Sequence, residues 1–271
     1  MSDFPSENYV EDEKSLLSAD LSPFPQEIAK EIRALREKAE EMMLNASSKG
    51  DIETMIQLKE MGVNNLVHAS YEAAKGGHYK AVVLCKDWGV RAFGGIMSEA
   101  AQNGHEEIIY ACRKWMDEYN FDITGLTFGI VAYKAIEGGH IEIVKQCIKW
   151  GIEDYEWLLC TAARRGHSDM VTLFGYLGAK KWDDALREAA GGGHVDIMKL
   201  CQREGATDFP QAMIEAAVGG QYQAAELCKK RGATNFINAR WAARRRGHHA
   251  LAEQLQKWGR ELFETDKEKL S

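Results

Sequence analysis

One spacing governs this chain of 271 residues. A Gly recurs before a His or another polar residue, and that second residue falls at Asp51, His78, His105, His140, His167, His194, Gln221 and His248. Six of the seven gaps are 27 residues; the other, His105 to His140, is 35 and therefore holds an eight-residue insertion. A period of this length means stacked copies of one supersecondary unit, because no single copy can bury its own apolar face. Eight copies run from about residue 40 to residue 259.

Other columns keep the same beat. Five residues before each anchor stands Ala (46, 73, 100, 135, 162, 189, 216, 243). Seven after it stands Cys, Leu or Phe, five times Cys. Eleven after it stands Gly, with Met116 the exception. Residues 210–232, PQAMIEAAVGGQYQAAELCKKRG, show what one unit should fold into. Pro210 suits a first helical turn, where its missing N–H costs nothing. Ala212, Met213, Ala216 and Ala217 then share one helical face. Gly219 and Gly220 end that helix, because Gly accepts left-handed backbone angles. A second helix carries Ala224, Ala225, Leu227 and Cys228 inward and ends at Gly232. The sequence thus predicts an all-α solenoid of about eight helix-turn-helix repeats with capping ends.

The repeated AAKGGH (73–78), AAQNGH (100–105), AARRGH (162–167) and AAGGGH (189–194), with IEIVKQC (141–147) and the GA endings at 178–179, 205–206 and 232–233, resemble the ankyrin repeat. That resemblance covers most of the chain. It departs from the family in length, 27 residues against about 33, and it lacks the Thr-Pro-Leu-His opening. The missing residues fall where the family builds its projecting β-hairpin. The short unit is similar to the hairpin-less ankyrin-like repeat of large DNA viruses, marseilleviruses in particular. The resemblance implies a protein-interaction scaffold without catalytic activity. If the chain is viral, it implies a host protein as partner and work in the infected cell or the virion.

The ends read as caps. Residues 1–22 are acidic and short of core residues, a composition that predicts mobility. Residues 23–43 form a charged helix whose Ile28, Ile32 and Leu35 make an apolar stripe able to cover the first repeat. The array occupies 44–259, with its insertion near 116–123, and 260–271 is a fraying tail. In AARRRGHH (242–249) the last repeat is polar where inner ones are apolar, as a terminal repeat needs. No stretch is apolar enough to span a bilayer and no signal-peptide pattern opens the chain. The expectation is an intracellular chain, cytoplasmic or nuclear. Five cysteines in one column would sit a helix-packing distance apart, roughly 8–10 Å, too far for bridges, and read as buried apolar residues.

Chemistry-bearing patterns are few. The repeated His and the Cys seven residues later are two helical turns apart, roughly 10 Å along the axis, so they cannot share an ion within a repeat. No metal or cofactor is expected. AGGGH (190–194) lacks the Lys-Ser/Thr ending of a phosphate loop. Glu72, Glu99, Glu188 and Glu215 form a ladder at repeat distance, which suits a solvated face better than an acid/base pair. A basic cluster (Lys229, Lys230, Arg231, Arg240, Arg244, Arg245, Arg246) keeps nucleic-acid association open as an alternative, although a net charge of −7 argues against a general phosphate-binding surface.

The best-supported reading is a concave first-helix face that binds a partner protein. Positions ten, six and three before each anchor point away from the apolar stripe, and in the columns ten and three before it the repeats diverge. The candidate partner-binding residues are Tyr119 and Phe121 of the insertion, Ile130, Lys134 and Glu137 of repeat 4, and Trp157, Arg164 and Arg165 of repeat 5.

Overall fold

The computed structural model describes residues 21–22, 25–121 and 125–270, with side chains for all of these except 125–126 and 265–270. The acidic stretch 1–20 and residues 122–124, which include Asp122 and Ile123 of the insertion, lie outside the described residues. So do the side chains of the tail from Thr265 onward.

Among the described residues there are sixteen helices and no strand. They fall into two compact units, 1–138 and 139–271. Unit 1 contains α1 (Gln26–Lys49), α2 (Ile52–Glu60), α3 (Leu66–Lys75), α4 (Tyr79–Asp87), α5 (Phe93–Gln102), α6 (Glu106–Glu118) and α7 (Gly125–Gly138). Unit 2 contains α8 (Ile141–Lys149), α9 (Glu156–Arg165), α10 (Ser168–Tyr176), α11 (Trp182–Gly192), α12 (Val195–Arg203), α13 (Phe209–Val218), α14 (Tyr222–Lys230), α15 (Phe236–Arg245) and α16 (His249–Leu270). First helices of successive repeats pack on each other: α1 on α3, α3 on α5 and α5 on α7 in unit 1; α9 on α11, α11 on α13 and α13 on α15 in unit 2. Second helices do likewise, α4 on α6, and α10 on α12 on α14.

The turn inside each repeat explains three sequence columns together. The anchor N–H donates to the carbonyl of the Ala five residues back, as in His78 to Ala73 (2.9 Å) and Gln221 to Ala216 (2.8 Å). This closes the first helix in a Schellman motif, which needs a left-handed residue just before the anchor. Gly77, at φ 73°, supplies it. Of a Gly-Gly pair only the second is left-handed: Gly219 keeps φ −81° while Gly220 takes 72°. The Ala at that bonded carbonyl is buried in every repeat.

The anchor His does more than support its own turn. The Nε2 of His78 lies 2.9 Å from the Ser48 carbonyl, thirty residues back in the preceding repeat. His105 meets Lys75 (2.9 Å), His194 meets Arg164 (2.9 Å) and His248 meets Val218 (3.1 Å) in the same way. Each ring also lies over the preceding repeat's left-handed Gly: a Cβ on Gly77 would sit 2.6 Å from the His105 ring. The His therefore satisfies a carbonyl left over at the end of one helix and ties two repeats together. Among the described residues no helix precedes the first repeat for its anchor to clip. Its anchor is Asp51, which caps its own helix by accepting from the Thr54 N–H at 3.1 Å. Hydrogen bonds from the Thr54 hydroxyl and N–H hold its carboxyl below the usual range.

The loops leading into the first helices are short, and their backbone groups need partners. Glu156 accepts from the N–H groups of Lys180 and Lys181, and Asp183 from those of Thr207 and Asp208. Asn65 and Asn235 donate to the carbonyls of Glu40 and Pro210. The stitches at Glu156, Asp183 and Asn235 join the start of one first helix to the loop leading into the next, and the one at Asn65 reaches the middle of α1.

At the N-terminus the helix runs from Gln26 to Lys49 without a break, so the charged stretch and the first helix of repeat 1 are one element. Its buried stripe is Ala29, Ile32, Ala39 and Met43. Ile28 and Leu35, expected inside, are 46% and 60% exposed. They lie a turn from Ile32 in sequence but off the narrow line that touches α2 and α3. At the other end α16 continues past Gly259 to Leu270.

Candidate interaction surface

The first helices expose one face in both units. The columns ten, six and three before the anchor contain no buried residue from His68 to Arg245, whereas inner residues eight and four before it are fully buried. Ser70, Met97, Ala132, Leu159, Leu186 and Met213 fill the first of those buried columns; Ala74, Ala101, Ile136, Ala163, Ala190 and Ala217 fill the second. The last repeat breaks both, with Arg240 and Arg244.

In unit 1 the insertion extends α6 to 13 residues, against nine for α4. Met116 cannot provide the left-handed stop, so the helix continues until Asn120, at φ 50°, provides it. The Phe121 N–H then closes the motif on the Met116 carbonyl at 3.0 Å. This geometry turns Tyr119 and Phe121 back onto the buried Phe93, with ring centroids 5.8 and 5.6 Å away. The Arg91 guanidinium covers Tyr119 at 4.3 Å. Both rings keep about two-fifths of their surface exposed. Ile130 is exposed on α7. One turn on, Lys134 lies 3.3 Å from Glu137 and 3.4 Å from Gln102 of α5. Tyr133 also donates to Glu137 at 3.1 Å. These contacts hold the face of α7 in a fixed pattern of charge.

In unit 2 Trp157 and Arg164 line one cleft with Asp154, Cys160, Asp184 and Glu188, of about 400 Å³. Arg164 grips Glu188 of the next repeat bidentately, both contacts at 2.6 Å. Arg187 bridges Asp184 and Asp208. Arg165 is exposed at the end of α9. The eight expected residues thus form two groups, one in each unit.

Sequence reasoning passed over another part of the same face. On α15, Ile237 and Trp241 are 83% and 62% exposed. With Ile214 and Val218 of α13 they line a groove of about 790 Å³. The signal was present in the last repeat, where Ile and Trp sit beside positions that had switched to Arg. It was masked because AARRRGHH reads as a polar cap.

The reactive side chains are committed to packing. All six cysteines are unbridged. Burial pushes the thiols of Cys85, Cys147, Cys201 and Cys228 up to about 12, and that of Cys112 higher still. Cys160, half-buried in the Trp157 cleft, is raised to about 11, first by burial and then by nearby Glu188. A thiol so raised stays protonated near neutral pH and is a poor nucleophile. Among the described residues no three His, Cys, Asp or Glu side chains converge as a metal site would require, and no helix is long and apolar enough to cross a membrane. No model of a known protein family matches the chain, and no curated protein matches it.

Proposed function

We propose that the chain is a non-catalytic interaction scaffold: an ankyrin-like helical-repeat array that binds a partner protein through its first-helix face and central insertion. One contrast carries the reading. Up to repeat 7 the buried first-helix columns keep to small or apolar residues, while the exposed column ten before the anchor changes in every repeat. The column ten before the anchor runs His68, Gly95, Ile130, Trp157, Asp184, Gln211, Asn238. Packing explains the first set and imposes nothing on the second, which is free to fit a partner. On the resemblance to short viral repeats, that partner is a host protein and the chain works in the infected cell or the virion. The alternative, nucleic acid on the C-terminal basic cluster, has less support. Two of its members are neutralised, Lys229 by Glu261 (3.0 Å) and Lys230 by Glu226 (3.1 Å).

The test is affinity purification of the tagged chain from its native cell, followed by measured affinities for the captured protein. Trp157→Ala with Arg164→Ala should weaken that complex by more than about 2 kcal/mol, a hot-spot-sized loss, at nearly constant melting temperature. Full affinity in variants substituted across the first-helix face of both units would overturn the scaffold reading.

A further inference from the structure

The first-helix face changes character at the end of unit 2. Around Trp157 it is a mesh of paired charges. Between α13 and α15 it becomes a groove lined by Ile214, Val218, Ile237, Ala242 and the Trp241 indole, with Asn238 among them. Arg245 and Arg246 stand on its rim, and the Arg245 guanidinium lies 4.7 Å from the Trp241 ring.

Among the described residues these guanidinium groups lack the partner that the repeat supplies elsewhere. Arg164, three before its anchor, finds Glu188 24 residues on, in the following first helix. The same step from Arg245 leads to residue 269, a Lys in α16 beyond the last repeat. Arg245 has the place of a paired arginine and no repeat to supply its acid. Arg240, Arg244 and Arg246 share its condition: none of the four makes an ion pair among the described residues, whereas Arg164 and Arg187 on the preceding first helices both do. An apolar groove beside unpaired guanidinium groups is complementary to a chain segment that carries carboxylates around a large apolar side chain.

We propose that the α13–α15 groove docks an acidic peptide segment of a partner protein. One bulky apolar side chain enters between Ile214, Val218 and Trp241, and flanking carboxylates meet Arg245 and Arg246. Nucleic acid fits less well. Non-specific single-strand binders stack successive bases on several aromatic rings; this groove has one indole, and it already has a guanidinium against it. The proposal deepens the scaffold reading and rests on it for the first-helix face as the binding surface.

The test is selection of a random 16-residue peptide library on the immobilised full chain. Three variants run in parallel: Trp241→Ala with Arg245→Glu, the milder Arg245→Gln, and Trp157→Ala with Arg164→Ala. Thermal melts confirm that each is folded. Enriched peptides should place Asp and Glu beside Trp, Phe or Leu. A synthetic consensus peptide should bind at least tenfold more weakly to the Trp241/Arg245 double variant and severalfold more weakly to Arg245→Gln, with a smaller loss in the Trp157/Arg164 variant than in either. Its affinity should fall as salt rises. Enriched peptides without acidic residues, or no enrichment above the double variant, overturn the proposal. Binding lost only with Trp157 and Arg164 removes the groove and leaves the scaffold reading standing. Retention of a labelled single-stranded RNA that the double variant abolishes assigns the groove to nucleic acid instead.

Discussion

Two regions present aromatic rings beside arginines, and they have opposite fates. In unit 1, Tyr119 and Phe121 leave the insertion and turn onto Phe93, with Arg91 closing over Tyr119. In unit 2, Trp241 stands out from α15, meets no other ring among the described residues, and carries only Arg245 against it. The difference is a platform. Phe93 occupies a core column at the start of α5, within reach of the lengthened α6. The end of α15 has no following repeat to offer one. The Trp241 indole beside Arg245 is left open where the array's repetition has run out, whereas the rings of the insertion are backed by Phe93.

The largest expected effect tests the platform. Phe93 is 1% exposed, so Phe93→Ala should cost about 3–5 kcal/mol in denaturant unfolding, the range for buried aromatic truncations. Trp241→Ala should stay within about 0.5 kcal/mol, as surface changes do. Comparable losses at the two sites would erase the distinction. Next comes the bend that folds the insertion back. Asn120→Ala should cost about 1–2 kcal/mol, the penalty of a left-handed residue with an ordinary side chain, while Asn120→Gly should hold or gain stability. The arginines come third. Arg91 donates to the carbonyls of Lys86 (2.7 Å) and Val90 (2.9 Å) besides covering Tyr119, so Arg91→Ala should cost about 1 kcal/mol. Arg245→Ala, which loses only an exposed cation–π contact, should cost about 0.5 kcal/mol. The smallest effect separates paired from unpaired charge. A double-mutant cycle on Arg164 and Glu188 should give a coupling of about 0.5 kcal/mol, reduced by salt. Arg244→Glu should give no loss, since it relieves repulsion among neighbouring arginines.

Much of this was legible from letters alone. The Ala, Gly and anchor columns are local: one Schellman turn links all three through backbone bonds within six residues, so they recur wherever the turn does. Burial of Ala212, Met213, Ala216 and Ala217 followed from helical spacing. The His clip did not, because its acceptor lies thirty residues away in another repeat, and no spacing within one unit reveals a contact between units of the array. Ile28 and Leu35 misled for a related reason. Helical spacing marks an apolar side, but the width of the buried stripe depends on how closely the next helix approaches. Tyr119 and Phe121 were visible as odd aromatics in an insertion, yet their direction was set by the left-handed Asn120.

By itself the sequence determined the repeat, its helical pairing and the positions that must be small or left-handed, since backbone sterics and short-range hydrogen bonds decide those within a few residues. Only the tertiary structure decided which arginines are neutralised, which aromatics are covered and where an apolar groove is left open. Those outcomes depend on whether a neighbouring repeat stands close enough to fill the space, and that is a property of the packed array.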